Sequence, residues 1–352
     1  MSNLLFKDKP LVGLDISQTG IKIMAIDTQH WVVSGYGSID LDPAKVQKSL
    51  DDDDDAYIQN NLSGMLAKNI LGRIPSNHVV LSVPTARTFT RTFAIPRESE
   101  KNIADSVQLE IDQYIPIPAE SLYVDYEITE RTDENIVISL SAAPRTLIDK
   151  YTSIAEDAGL KVCAIEPSVS AVARLLERTE EGHLPTIIVD IGAAATDIAV
   201  FEGGSIKVTG SIAIGGNTFT LDIAKKLKVP LENAHQLKVL SGLNPGPRQA
   251  KISAAITPSL DKIMDETRKV IRYYTERLNN DKKIEQVLVV GGGSNIPGIG
   301  EFCTNSLVMP ARVASPWQKL NFAKLAEPAK QFRARYITVA GLSILTPSEV
   351  KK

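Results

Sequence analysis

The sequence predicts an α/β protein of two similar lobes facing one another, with a smaller α+β module set into the first. Three observations carry this reading. The segments "LDISQTGIKIMAI" and "VDIGAAATDIAVF" share one pattern of strand, aspartate, tight turn and strand, with Asp15 falling on Asp190, Ile16 on Ile191 and Ile23 on Ile198. Residues 79 to 180 read in the order ββαββαβα, a compact module. A largely helical stretch running to about residue 283 then leads into "IEQVLVV" and three glycines. The length of 352 residues is enough for two domains or one large bilobal one.

The elements follow in order. "LVGLDIS", "IKIMAID" and "WVVSGYGSI" are β-rich runs broken by turn residues, a meander. The pentad Asp51 to Asp55 reads as a solvated loop or a helix start, where carboxylates suit the dipole. "HVVLSVPTARTFTRTFAIP" holds two more strands. In "ESEKNIADSVQLEIDQYIPIP", Ile103, Val107, Ile111 and Tyr114 recur at three- and four-residue spacing, an amphipathic helix stopped by Pro116 and Pro118. Strands "LYVDYEITE" and "NIVISLSAAP" precede a helix "RTLIDKYTSIAEDAG" closed by Gly159. Strand "LKVCAIEP" and helix "SVSAVARLLERTEEG" complete this half. The second half opens with the repeated hairpin and "SIKVTGSIAI". Gly215-Gly216-Asn217 then turns the chain into helix "TFTLDIAKKLK", and "PSLDKIMDETRKVIRYYTERLNN" is the longest helical piece. A short strand near "ARVAS", a loop near Trp317 and a helix "YITVAGLSILT" end the chain.

Composition excludes several classes. With 43% hydrophobic and 23% charged residues the chain is an ordinary globular one. A net charge of -3 with no basic stripe gives no case for nucleic acid. Cys163 and Cys303 stand alone, and His30, His78, His183 and His235 are scattered, so no transition-metal site is expected. Two cysteines in so long a chain suit a reducing compartment. The N-terminus has no signal core, no run approaches a membrane span, and "SEVKK" is no amphipathic helix. The expectation is a cytoplasmic protein whose membrane contact comes through a partner.

The repeated hairpins carry the chemistry. A tight turn between strands presents successive backbone N–H groups to an anion. An aspartate at the strand end can hold a hydrated Mg²⁺, which keeps several waters and takes one or two carboxylates. Two such hairpins from opposed lobes could clamp the phosphates of a nucleotide, with Asp15 and Asp190 sharing the metal and Lys22 reaching phosphate. Taken singly, each reads better as a plain hairpin whose aspartate caps a turn; two matching hairpins with a third motif favour the clamp. In "VLVVGGGSNIPGIG" the strand running into Gly291-Gly292-Gly293 leaves backbone open to a flat ligand, and Ser294 can cap the following helix. The spacing GGGxxxxG fits the dinucleotide fingerprint poorly, and there is no P-loop.

Together "GLDISQTGIK", "EPSVSAV", "VDIGAAATDIAVFEGG", "GGNTFTLDIA" and "VVGGGSNIPGI" resemble, in order, the phosphate 1, connect 1, phosphate 2, outer-subdomain and adenosine segments of the actin-like ATPase superfamily. Within it the closer resemblance is to FtsA and above all to PilM, the cytoplasmic actin-like family of type IV pilus assembly, with the module beginning at "VVLSVP" similar to their subdomain 1C and "QYIP" similar to a PilM turn. The resemblance implies an actin-like ATPase fold of ribonuclease-H-like subdomains. It sets a first lobe over 1–185 with the 1C insertion at about 79–165, and a second over 186–334 with its outer part at about 216–285. The helix in 335–352 returns to the first lobe. It implies ATP and Mg²⁺ as cofactors, with Asp15, Ser17, Thr19, Lys22, Asp190, Gly192 and Thr196 facing phosphate and metal. Gly291, Gly292, Gly293 and Ser294 would flank adenosine, and Glu166 would position the attacking water.

Two departures bear on activity. "AHQLK" puts His235 where relatives carry a glutamate, leaving Lys238 alone to contact nucleotide. Ala193, Ala194 and Ala195 fill the second turn, and losing one hydroxyl bond to a charged phosphate costs roughly 1.5–3 kcal/mol, about one to two decades in affinity. Binding survives through backbone donors and Mg²⁺ while turnover slows. The expected function is an ATP-binding adaptor of type IV pilus or type II secretion-like assembly. A groove beside the module would hold the N-terminal cytoplasmic tail of a PilN-like inner-membrane partner. The alternatives are an FtsA-like division filament protein, for which a C-terminal amphipathic helix is missing, and a sugar kinase or phosphatase, for which no acidic pair is evident in the module.

Overall fold

The computed structural model describes residues 9–180, 184–244, 246, 249–277 and 283–350. The expected end of the longest helix at "LNN" and His183 lie outside them. In the first half, β1 (Val12–Ser17), β2 (Gly20–Asp27) and β3 (Val32–Asp40) form the meander the turn residues predict. After α1 (Pro43–Asp51) and α2 (Tyr57–Lys68) come β4 (Ile70–Gly72) and β5 (His78–Val83). The aspartate block is surface, as expected: Asp55 accepts from Tyr57 N at 2.9 Å where α2 begins, and Asp53 pairs with Lys150. The module contributes β6 (Phe89–Pro96), α3 (Ile103–Tyr114), β7 (Leu122–Arg131) and β8 (Asn135–Pro144). The chain returns through α4 (Arg145–Asp157), β9 (Lys161–Pro167) and α5 (Ser168–Thr179).

The second half repeats the plan with β10 (Thr186–Ile191), β11 (Thr196–Glu202) and β12 (Ser205–Ile212). Helices α6 (Gly216–Leu227), α7 (Leu231–Leu240) and α8 (Gln249–Arg277) follow. Then come β13 (Gln286–Val290), α9 (Ile299–Leu307), β14 (Ala311–Val313), α10 (Lys330–Arg333), α11 (Ile337–Ser343) and α12 (Pro347–Val350). Helix α8 begins nine residues before the expected start and runs through Pro258. Burial of Ile252, Ala255 and Ile256 on one face of that extra stretch holds the turn against the missing N–H.

Two sheets result, ordered β4-β3-β2-β1-β5-β9 and β14-β13-β10-β11-β12-β6-β8-β7. In each, an antiparallel hairpin (β1–β2, β10–β11) lies beside a parallel strand (β5, β13), so the repeat is structural as well as sequential. Between the sheets sits a core that draws Met24 from the first, Ile188 and Leu288 from the second, and Val169, Val172 and Leu176 from α5, with Val339 and Ala340 from α11. Helix α11 packs at backbone distance: a Cβ on Gly13 would lie 2.3 Å from Val339 O, and one on Gly341 would lie 1.9 Å from Ala171 O.

The compact module expected over 79–180 divides. β5 and β9 belong to the first sheet, and Leu147, Tyr151 and Ile154 of α4 join that lobe's core. The module proper is β6 to β8, packed on α3 through Phe93, Val107, Ile111, Ile136 and Ile138. Its sheet continues the second lobe's, through one register pair between Val208 of β12 and Arg91 of β6. Alternating burial specifies a strand's faces but not which sheet edge it joins. Tyr114, expected on the apolar face of α3, is 52% exposed and carries the Arg91 guanidinium 3.4 Å from its ring centre.

Candidate functional site

The hairpin turns set the site. In the first, β1 and β2 pair Asp15 with Lys22 and Ser17 with Gly20 across Gln18-Thr19. Lys22 Nζ lies 3.0 Å from Asp15 Oδ2, and Ser82 of β5 donates to Asp15 Oδ1 at 2.7 Å. Both members of the ion pair are buried, which demands such full pairing. The lysine expected to reach phosphate freely is thus already committed to Asp15, and an anion would share it. Ser17 Oγ donates to Gly20 O at 2.9 Å across the turn, and Thr19 O accepts from Leu41 N at 3.1 Å.

The second hairpin has the same register, with Asp190 opposite Asp197 and Ile191 opposite Thr196. The repeat that sets Asp15 on Asp190 also sets Lys22 on Asp197, so a neutralised pair in one lobe is two facing carboxylates in the other. Burial, then the charges of Asp197 and Asp15, push the Asp190 carboxyl up to about 7, with Lys22 acting the other way. Asp15 and Asp190 therefore lie within electrostatic reach across the cleft. Burial also raises Asp197, against hydrogen bonds from Ser211, Thr85 and Ser168 that lower it.

The alanine turn keeps its backbone donors. Gly192 N bonds Ala195 O at 2.9 Å, while the carbonyls of Gly192 and Ala193 accept from Gly216 N and Asn217 N at the start of α6. Among the described residues no acceptor meets the N–H groups of Ala193, Ala194 and Ala195. That is the concavity an anion needs. Thr196 is a different matter: it is fully buried and its hydroxyl donates to Ile214 O at 2.7 Å, so it braces the turn instead of facing a phosphate.

Lys238 on α7 is buried with Nζ bonded to Gly216 O at 2.7 Å and Thr220 Oγ1 at 2.8 Å. Among the described residues it has no carboxylate partner, and burial draws its ammonium down to about 8. A Cβ on Gly216 would sit 3.6 Å from that ammonium and 3.7 Å from Gly192 O, which puts Lys238 beside the turn. His235 is exposed on the same helix.

The glycine strip closes the site. Gly291 has φ +79° and its absent Cβ would lie 2.2 Å from Asp190 Oδ1, so glycine is required twice over. Gly293 is equally tight against Ile191, whereas a Cβ on Gly292 would meet nothing nearer than Arg335 at 3.8 Å. Ser294 does not cap α9, which starts five residues later; its hydroxyl donates to Gly291 O at 2.7 Å and holds the strip's turn. Glu166 shares a sheet face with Asp15 through Ser82, two strands and roughly 10 Å away. Its carboxylate is clamped by both terminal nitrogens of Arg174, which also donates to Gly341 O at 3.0 Å. It faces the α5–α11 contact instead of standing free as a base.

Could these residues hold Mg²⁺? Three carboxylates, Asp15, Asp190 and Asp197, share one neighbourhood, and among the described residues the charge of Lys22 opposes them at Asp190. No hydrogen-bond donor reaches Asp190 among the described residues. Nor does any group of three acidic, histidine or cysteine side chains there form a cage for an ion. A hydrated ion held by one or two carboxylates suits that arrangement.

Sequence reading missed Asp197, Ser82 and Arg174. For Asp197 a signal existed, since pairing outward from the turn at 192–195 sets 190 opposite 197. Ser82 lies 67 positions from Asp15 and gave none; Arg174 is only 8 positions from Glu166, but the turn from strand to helix that brings them together leaves no periodic trace.

Two facing sheets, each with a hairpin ending in an aspartate and the second with a glycine strip against it, are the actin-like ATPase fold. MreB5 of Spiroplasma citri bound to AMPPNP has that fold and superposes with a TM-score of 0.57 at 15% identity over 98% of both chains. A chain of a PilM–PilN type IV pilus biogenesis complex is more similar, with a TM-score of 0.78 at 20% identity over 95% of this chain and 97% of its own. The sequence pattern of the family described as type IV pilus assembly protein PilM matches residues 13–346, and the chain belongs to that family. The cell division protein FtsA of Neisseria meningitidis serogroup B is 29% identical over 213 residues, 53% of this chain and 49% of its own. The chain spans about half the length of the curated relatives it matches.

Proposed function

We infer that this chain is an ATP-binding adaptor of type IV pilus assembly, with slow or absent hydrolysis. The observation that carries the reading is the pair of facing carboxylates in the second hairpin, Asp190 and Asp197, where the first hairpin has a neutralised pair. Such an excess of negative charge calls for a cation, and Mg²⁺ with a nucleotide would supply it. Asp15 and Asp190 would hold the metal, the three alanine N–H groups and Lys238 would hold phosphate, and Gly292 would lie open to the adenosine. Mg²⁺ would supply charge neutralisation of the phosphates. Arg174 clamps Glu166 and keeps that carboxylate from standing free as a base, which favours slow turnover.

The adaptor part rests on a groove of about 370 Å³ where the module meets the second lobe, lined among others by Phe89, Arg91, Tyr114, Leu140, Val208 and Tyr273. An extended segment fits such a groove by strand addition or by side-chain insertion. We assign it to the N-terminal cytoplasmic tail of a PilN-like inner-membrane protein, which would recruit the chain to the membrane's inner face. No helix among the described residues is long and apolar enough to cross a membrane, in keeping with recruitment.

Calorimetry with ATP tests the first part: binding is expected with Mg²⁺, weaker by tenfold or more in Asp15→Ala and Asp190→Ala, with turnover below about 1 s⁻¹, the low end for enzymes. Wild-type protein with no affinity for ATP and Mg²⁺ sinks it. For the adaptor part, a synthetic tail peptide should bind wild type and bind Tyr114→Ala more weakly; no binding to wild type ends that assignment.

A further inference from the structure

Asp197 stands between Asp190 and the chain segments that lead into two walls of the groove. On its own hairpin it stands opposite Asp190. Its Oδ1 accepts from Ser211 Oγ of β12 at 2.7 Å, and its Oδ2 accepts from Ser168 Oγ at the start of α5 at 3.2 Å. Thr85 joins this group through Ser168: its Oγ1 lies 2.9 Å from Ser168 Oγ, the hydroxyl that donates to Asp197, while accepting from Val169 N at 3.2 Å. Ser211 directly follows Val208, Thr209 and Gly210, which form one wall of the groove; Thr85 precedes Thr88 to Arg91, which form the other. One carboxylate thus anchors both walls within a few residues.

Few backbone bonds join those walls. β12 and β6 share a single register pair, Val208 with Arg91, beside the Thr92 hydroxyl's bond to Ile206 O at 3.3 Å. The Thr90 hydroxyl is buried with no partner among the described residues, and Arg91 Nε and Glu110 Oε2 form an ion pair at 3.0 Å without hydrogen-bond alignment. Such groups favour a change of spacing that would pair them.

We propose that Asp197 is a positioning residue that couples the two sites: when Mg²⁺ and phosphate neutralise Asp190, Asp197 shifts with its three hydroxyl partners and resets the spacing of the groove walls. The inference rests on the ATP-binding reading above. Coupling of this kind is reciprocal, so an occupant of the groove raises or lowers nucleotide affinity by the same factor that nucleotide changes its own.

Hydrogen exchange of the whole chain, with and without ATP and Mg²⁺, tests it without any peptide. In wild type, nucleotide should change exchange by several-fold in both 88–91 and 208–210. In Ser211→Ala the response at 208–210 should vanish while that at 88–91 persists; Thr85→Val should do the reverse. Ser211→Thr, which keeps the hydroxyl, should restore the response. Nucleotide affinity measured in parallel should stay within about threefold of wild type, since neither side chain touches the ligand site. Failure of wild type to bind ATP overturns the adaptor reading and this inference with it. Binding without any change at the two walls, or with unchanged wall responses in both variants, overturns the coupling alone.

Discussion

At the scale of single residues, the two hairpins differ at one charged position. Lys22 and Asp197 are equivalent, and that exchange, two units of charge, turns a closed ion pair into two facing carboxylates. The sign of the Asp190 effect on stability follows. Its folded pKa, about 7, exceeds the ordinary carboxylate value of 3.8, so the folded chain binds the extra proton more tightly than the unfolded one. Stability falls as pH rises from about 4 to 7 and the full penalty stands above 7. Asp190→Asn should therefore melt higher than wild type without ligand, by a margin that widens across pH 4–7 and then levels. A margin flat with pH in calorimetry refutes this. The same variant should lose its Mg²⁺-dependent ATP affinity, and wild-type affinity should climb from pH 6 to 8 as the proton that competes with metal leaves. Lys238→Met should weaken ATP by roughly 10- to 100-fold, the scale of a lost charged hydrogen bond; isothermal titration reads it directly.

At the scale of elements, glycines fix where strands and helices can meet. Gly291→Ala combines a positive φ with a Cβ 2.2 Å from Asp190 Oδ1, and should cost about 2–3 kcal/mol in denaturant unfolding along with nucleotide affinity. Gly292→Ala has room and should leave stability within about 0.5 kcal/mol. Equal costs at the two positions would contradict the geometry. Gly341→Ala would set a Cβ 1.9 Å from Ala171 O and force α11 off α5. That should destabilise by about 1–3 kcal/mol and disturb the Arg174 contact with Gly341 O, which thermal melts and exchange at α5 would reveal.

For the whole molecule, the apolar core between the sheets makes the lobes one folding unit, while the cleft opposite it is polar and charged. Opposed aspartates repel until a cation arrives, so ATP with Mg²⁺ should draw the lobes together. A decrease in radius of gyration by small-angle scattering is the expected readout; an unchanged radius at saturating ligand would exclude closure.

Much of this was legible in the chain itself. The matched hairpins, the glycine strip after a buried strand and the helix periods are local patterns, because they depend on turn chemistry and on which face of an element is apolar. They predict two α/β lobes and set Asp15 and Asp190 in matching hairpins, with Gly291 added by the family resemblance. Pro258 suits the first turn of a helix, so the sequence starts α8 there, and tertiary burial carries it nine residues further back. Only the folded structure decided that Lys22 neutralises Asp15, that Thr196 and Ser294 serve their own backbones, and that Arg174 clamps Glu166. It alone joined the module's sheet to the second lobe through Val208 and Arg91 and gathered Thr85, Ser168 and Ser211 on Asp197. Whether 3 positions apart, as Ser294 and Gly291, or in distant segments, as Val208 and Arg91, these pairings are set by how surfaces fit in space, and periodicity along a chain carries no information about them.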